Sequence, residues 1–337
     1  MVLILQMDQP GLQQAQQALQ SQLRTLYDDR EAATITDWVM EHVTGLKKID
    51  RILHKKAPLS PDNTVLLKKY TEELLAHRPV QYVLGESWFR GLKFYVDEQV
   101  LIPRPETEEL VEWVLEEASS RSLRAVPGHH APPESAAIPS LPPGHEVTTP
   151  PQFAAVPTPP PGPTVPVSTP TLLDVGTGSG CIAISLKKAL PGAEVYACDL
   201  SGAALVIAQR NAAAHQTAIH FRQLDFLDPA QWGSLPLVQV LVSNPPYIPL
   251  RDKASMAPHV LRFEPHLALF VDNRDPLVFY RALAGFARQK LLPGGSIFVE
   301  IHEDLAAATR DLFKEAGFQQ VIVRKDMQGK DRMIKAS

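Results

Sequence analysis

Cysteine is scarce in this chain: Cys181 and Cys198 are the only two in 337 residues. Two thiols make no metal framework, and in a reducing compartment they form no structural disulfide. Both are expected to be small buried apolar residues. The eleven histidines show no metal-ligand spacing, so no metal is expected. Basic charge is not in surplus either. The 33 Lys and Arg are outnumbered by 37 Asp and Glu, for a formal net charge of −4, which weighs against stable binding to nucleic acid. No apolar run approaches the roughly 20 residues that cross a bilayer. Met1 to Gln6 is apolar but too short for a signal peptide, and no basic segment precedes it. The expectation is a cytoplasmic protein without membrane contact, most simply a monomer. With 45% hydrophobic and 21% charged residues, it has the composition of a globular chain long enough for two domains.

Proline is concentrated in one place. Residues 119–170 hold 15 of the 31 prolines and only four charged residues, Arg121, Arg124, Glu134 and Glu146. Such a stretch cannot build a core, and proline forbids helix and central strand. It is expected to be a disordered insertion that tethers; a ligand for a proline-binding partner is the sharper alternative. His129-His130 lies inside it and is expected to be solvated.

Ahead of the insertion, residues 1–80 read as a helical domain, with apolar residues at helical spacing. Helices are expected over 12–26, 30–43, 46–56 and 61–77. The second should present Ile35, Trp38, Val39 and Val43 on one face. The fourth starts at Ser60-Pro61, a cap followed by proline in the first helical position. Lys47, Lys48, Arg51, Lys55 and Lys56 read as a solvated basic stripe, or as a contact for an acidic or ribosome-associated partner. Residues 81–118 follow as a hairpin over 81–102, turning at Arg90-Gly91, and a connecting helix.

After the insertion, residues 171–337 read as an α/β domain. The apolar run Leu172-Leu173-Asp174-Val175 enters Gly176-Thr177-Gly178-Ser179-Gly180, then a helix from Ile182. Glycines let backbone approach a ligand, and a helix N-terminus favours electron-rich groups. A second strand, Glu194 to Cys198, ends at Asp199, about 20 positions past the turn, where a ribose would be held. Asp199 could instead cap the next helix, a role also open to Ser201. These residues point to an adenosine-containing cofactor without choosing among NAD, FAD and S-adenosylmethionine. Asp225 and Phe226 follow a third strand, where an adenine could be accepted and stacked, although Phe226 also suits ordinary core packing.

The fourth strand narrows the choice. Val240-Leu241-Val242 leads into Asn244-Pro245-Pro246-Tyr247. Each proline fixes its own φ and pushes the residue before it to an extended shape. The Asn244 amide and the Pro245 carbonyl can then offer oxygens to both hydrogens of an –NH2 group, with the Tyr247 ring packed on that planar group. Such a corner suits a methyltransferase acting on an amide or an exocyclic amine rather than a nicotinamide enzyme.

The order of motifs resembles the PrmC/HemK family. It comprises Arg78-Pro79-Val80-Gln81-Tyr82-Val83-Leu84-Gly85, then Val100-Leu101-Ile102-Pro103-Arg104-Pro105-Glu106-Thr107-Glu108, then the glycine turn and Asn-Pro-Pro-Tyr. Phe263-Glu264-Pro265, Leu292-Pro293-Gly294-Gly295, Glu300-Ile301 and Asp331-Arg332 continue it. The resemblance implies a Rossmann-like, S-adenosyl-L-methionine-dependent protein-(glutamine-N5) methyltransferase with a helical N-terminal domain and a connecting hairpin. Its substrate would be the Gly-Gly-Gln glutamine of class 1 peptide chain release factors, docked in part by residues 1–80. It further implies that Gly176 to Gly180, Asp199 and Phe226 hold the cofactor. Asn244, Pro245, Pro246 and Tyr247 would bind the substrate glutamine, with Asn244 also near the cofactor and Asn244, Pro245 and Tyr247 catalytic. Arg104 and Glu106 would brace the wall of the site. The chain departs from the family pattern at Phe270–Asp275, in place of a glycine-rich loop, and at His302, where glycine is common. Two rivals remain: an adenine-N6 or guanine-N2 methyltransferase acting on DNA or RNA, and a non-catalytic adaptor that binds release factors.

Overall fold

The structure, a computed structural model, describes residues 9–124 and 170–337. The N-terminal part is helical: α1 (Leu12–Leu23), α2 (Asp29–Thr44), α3 (Lys48–Leu53), α4 (Pro61–Leu75) and α5 (Val80–Leu84). Helix α2 is capped by Asp28, which accepts from the N–H groups of Arg30 and Glu31, and stops at Gly45 in the left-handed region. Helix α4 is capped by Ser60, which accepts from Asn63, with Pro61 at its first position. Leu19, Leu23, Val39, Met40, Leu67 and Leu74 are buried where these helices meet, and Val80, Val83 and Leu84 of α5 close the same core.

Three expectations are corrected here. Trp38 is 48% exposed while Ile35, Val39 and Val43 are buried; one step before Val39, it falls outside the narrow apolar stripe. Arg51 is not part of a solvated stripe. It is buried, donating to the Leu46 carbonyl and to Asp37. The hairpin is confined to β1 (Ser87–Phe89) and β2 (Leu92–Phe94), because residues 80–84 coil into α5. Its turn does lie at Arg90-Gly91, both at positive φ.

Helix α6 (Pro105–Arg124) carries the chain to the end of the first described segment. Residues 119–124, expected to be disordered with the rest of 119–170, are its last turns. No proline interrupts it before Pro127. The remainder, 125–169, lies outside the described residues together with His129-His130.

The C-terminal part alternates strands and helices: β3 (Thr171–Val175), α7 (Cys181–Ala189), β4 (Glu194–Asp199), α8 (Gly202–Ala214), β5 (His220–Gln223), β6 (Val238–Ser243), β7 (Ile248–Pro249), α9 (Pro258–Phe263), β8 (Phe270–Val271), α10 (Val278–Lys290), β9 (Leu291–Glu300), α11 (Ala306–Glu315), β10 (Val321–Lys325) and β11 (Asp331–Ala336). Seven strands form one sheet in the order β10-β11-β9-β6-β3-β4-β5. The five from β9 to β5 run parallel, and β11 alone runs against them, pairing antiparallel with both β9 and β10. Their near-continuous apolar runs are what a sheet covered on both faces requires. One face packs Phe286, Leu283 and Phe313 from α10 and α11. The other packs Leu110, Val111, Trp113 and Val114 of α6 with Ile182 and Ile184 of α7. Tyr82, Val96, Val100 and Ile102 meet Ala204 and Ile207 of α8, joining the hairpin segment to the sheet domain. The strand order reverses between β3 and β6, and ligands of open α/β sheets collect at that reversal, beyond the carboxyl ends of the strands.

Candidate active site

The glycine turn hangs between β3 and α7 and is tied to the end of β4. The N–H groups of Gly176 and Thr177 both donate to the Cys198 carbonyl, at 2.9 and 3.1 Å. The Gly178 N–H donates to one Asp199 oxygen at 2.9 Å, and the Ser201 N–H donates to the other at 2.9 Å. Asp199 therefore sits at the ligand end of β4 with lone pairs to spare, and Ser201, not Asp199, caps α8. Burial raises the Asp199 carboxyl above its ordinary value, against the backbone donors of Gly178, Ser201 and Leu200. Both Gly176 (φ 71°) and Gly178 (φ 52°) lie in the left-handed region, and a Cβ at either would meet nothing within 4 Å. The backbone there faces open space.

That space is a cavity of about 380 Å³, lined by Gly176, Gly178, Asp199, Asp225, Phe226 and Asn244 among others. Thr177, Ser179 and Gly180, from the same turn, are not in its lining. The Thr177 hydroxyl donates to Asp174 at 2.6 Å. The Ser179 carbonyl accepts from Asn211 at 2.9 Å. Gly180 lets α7 approach α8, since a Cβ there would lie 3.0 Å from Ile184 and 3.2 Å from the Ala208 side chain. These three shape the turn from behind. Phe226 lines the cavity and also packs on Trp232 and Phe286, as ordinary core packing requires.

Asp174 lies beneath the turn, wholly buried. One oxygen accepts from Thr177 and from the Ala183 N–H, while the other has no partner. Burial pushes its carboxyl up to about 7. Burial likewise pushes the Cys181 thiol up to about 12, and both cysteines are buried free thiols, inert rather than nucleophilic. Among the described residues no group of three or more His, Cys, Asp or Glu could hold a metal ion, and no helix is long and apolar enough to cross a membrane.

Asn244 follows β6, which the Ser243 hydroxyl ties to β3 through the Val175 carbonyl. A second, smaller cavity of about 130 Å³ opens on the far side of this corner, lined by Arg104, Tyr247 and Met256 among others. Leu101, Asn244, Pro245 and Ala268 line both cavities. The two spaces therefore meet at Asn244-Pro245. The Asn244 Nδ2 donates to the Thr107 hydroxyl at 3.0 Å, the Thr107 hydroxyl donates to Glu300 at 2.6 Å, and the Tyr247 hydroxyl donates to the other Glu300 oxygen at 2.9 Å. Burial raises the Glu300 carboxyl, opposed by those hydroxyls and by Arg332. Burial, with Glu300 adding to it, also holds the Tyr247 hydroxyl well above its ordinary value, so Tyr247 keeps its proton.

Arg104 does stand at the wall, held by buried Glu264 at 2.6 Å. Glu106 does not. It accepts from Gln328 and lines neither cavity; Thr107, one residue on, lines neither as well but bonds Asn244 and Glu300 from behind. Sequence reasoning gave no role to Thr107 or to Asn211, which bonds both Ser179 and the Tyr95 backbone. Phe270-Val271 pairs in parallel with Ile248-Pro249 just after the Asn-Pro-Pro-Tyr corner. His302 places its ring edge-on to Tyr247, 6.2 Å between centroids.

A parallel sheet with a glycine turn and an acidic residue at its reversal marks an α/β fold of the kind that binds adenosine cofactors, and the match of residues 164–262 to the methyltransferase small domain makes it a methyltransferase domain. Residues 12–85 match the PrmC N-terminal domain. The release factor glutamine methyltransferase of Flavobacterium psychrophilum is 36% identical over 94% of this chain and 95% of its own length. That of Chlorobaculum tepidum is 37% identical over 87% of this chain and 86% of its own, and that of Lactococcus lactis is 33% identical over 93% and 97%. This chain belongs to the release factor glutamine methyltransferase family.

Proposed function

We propose that this protein transfers a methyl group from S-adenosyl-L-methionine to the side-chain amide nitrogen, N5, of the glutamine in the Gly-Gly-Gln motif of class 1 peptide chain release factors. The observation that carries the reading is the pair of cavities meeting at Asn244-Pro245, in a chain of this family. The larger cavity has the size, glycine backbone and acidic partner that an adenosine-bearing cofactor needs. Gly176, Gly178, Asp199 and Phe226 would hold it, with Thr177, Ser179 and Gly180 keeping the turn in shape. When bound, the cofactor supplies a methyl activated on a sulfonium, so the protein needs no nucleophile of its own.

The protein's task is to present a poor nucleophile. An amide nitrogen shares its lone pair with its carbonyl. The Asn244 side-chain oxygen and the Pro245 carbonyl would accept the two N–H bonds of the substrate amide. That fixes the nitrogen toward the larger cavity and raises its electron density. The smaller cavity, walled by Pro246's neighbours Pro245 and Tyr247, takes the carboxamide end. Residues 1–80 would dock the release factor; their described part is helical and, with α5, has its own core.

The test is mass spectrometry of a release factor incubated with the protein and S-adenosyl-L-methionine. One added methyl on the Gly-Gly-Gln glutamine is expected. Label appearing on DNA or RNA and not on the factor would overturn the reading. Asn244→Ala should abolish transfer while changing cofactor affinity far less; a rate within about tenfold of wild type removes Asn244 from its role.

A further inference from the structure

An asparagine amide is nearly symmetric in shape, and its two ends differ only in what they donate or accept. At Asn244 the difference decides function. The reaction needs the oxygen turned toward a substrate –NH2, whereas the opposite orientation would present two donors to two donors. Something must fix the polarity of this side chain.

We propose that Thr107 and Glu300 are positioning residues that set it. Glu300 ends β9, whose register pairs Val299 with Ser243, so Glu300 lies beside Asn244 at the next step of neighbouring strands. Thr107 comes from the first turn of α6, laid across the same strand end. Glu300 is 1% exposed and Thr107 3%, so bulk water does not compete for either. The carboxylate receives two hydroxyls, Thr107 on one oxygen and Tyr247 on the other. With its single proton committed to Glu300, the Thr107 oxygen has only lone pairs left for Asn244. It therefore takes the Nδ2 hydrogen, and the side-chain oxygen of Asn244 is left for the cavities. One buried carboxylate thus orders both polar side chains of Asn-Pro-Pro-Tyr: Tyr247 directly, Asn244 through a hydroxyl. Flipping the Asn244 amide would set its oxygen against the Thr107 lone pairs, acceptor against acceptor, an unsatisfied buried contact of the kind proteins avoid.

The inference rests on the methyl-transfer reading above, and the experiment keeps the two apart. Thr107→Val removes the hydroxyl at nearly constant volume. It is expected to lower kcat on a release factor at least tenfold, with KM for the factor and Kd for S-adenosyl-L-methionine within threefold of wild type. Loss confined to kcat marks an interaction used in the transition state. Thr107→Ser, which restores the hydroxyl, should return kcat to within threefold. Thr107→Ala checks the result if the valine variant unfolds early in urea. A kcat within threefold of wild type for both Val and Ala variants would falsify the positioning role while leaving the reaction intact. No transfer by the wild type would sink the functional reading instead. A serine variant as slow as the valine variant also counts against the inference, since the hydroxyl would then be beside the point.

Discussion

At the scale of single residues, the site is built from acids whose surroundings differ. Asp174 is the extreme, a wholly buried carboxyl with one oxygen lacking a partner and its proton held up to about 7. An unfolded aspartate titrates near 3.9, so the folded state binds the extra proton between those values. Stability from this group is therefore greatest at acid pH, falls as pH rises from about 4 to about 7, and is flat above. Asp174→Asn should remove that slope. Relative to wild type, the variant should gain up to about 4 kcal/mol across the interval, read from urea unfolding of the cofactor-free protein at pH 4.5 to 7.5. Equal slopes for the two proteins would contradict the assignment. Candidate site residues were legible where they rest on neighbours in the chain. Asn244 to Tyr247 and Gly176 to Gly180 announce themselves because proline and glycine constrain backbone locally. Thr107 and Glu300 are 193 positions apart and gain meaning only when α6 crosses β9. The available signal was a charged residue ending the apolar run Ile297-Phe298-Val299, the pattern already used for Asp199. Arg51 was misread as solvated for the same reason: its partner Asp37 belongs to another helix.

Helices and strands were legible from periodicity and punctuation, and their errors lie where packing overrides both. Helices α1, α2 and α4 lie within the spans expected, to a few residues, and Ser60-Pro61 starts α4 as its chemistry requires. The coil of 80–84 into α5 was not legible, because five residues carry too little period; what makes them helical is the core they close. Trp38 shows that a single aromatic need not join a stripe its neighbours define. Among elements, the glycine turn supports the most specific expectation, since its three glycines do different things. Gly180→Ala would force φ 82° on an alanine and press its Cβ to 3.0 Å from Ile184 and 3.3 Å from the Ala208 backbone. The expected loss is about 2–3 kcal/mol in urea unfolding. Gly178→Ala meets no atom, so strain alone should cost about 1 kcal/mol, but its methyl enters the larger cavity and should weaken cofactor binding. If Gly178→Ala proved the more destabilising of the two, the packing role of Gly180 would be wrong.

For the whole molecule, the βα alternation after residue 170 announced a parallel sheet, and the sheet order puts its reversal at β3 and β6, under the glycine turn and Asn244. What composition alone could not supply was how the parts before and after 125–169 fit together. Helix α6 lays Leu110, Val111, Trp113 and Val114 into the core of the sheet domain. Trp113 meets Phe298 edge-on at 5.6 Å. Arg104 grips Glu264, Thr107 grips Glu300, and Glu117 pairs with Lys335. The same active site is thus assembled from both sides of the proline-rich stretch, and nothing described in it comes from the stretch itself. Peptide-bond continuity there is therefore expected to be dispensable once folding is complete. A specific protease site inserted after Ser140 and cut in the native protein should yield two fragments that co-elute on gel filtration at low micromolar concentration and still methylate a release factor at close to the uncut rate. Fragments that part without denaturant would show the clasp to be weaker than its buried surface implies. If they stay together, the molecule behaves as a two-piece enzyme joined by a removable strap, and separately expressed halves could be mixed to restore it.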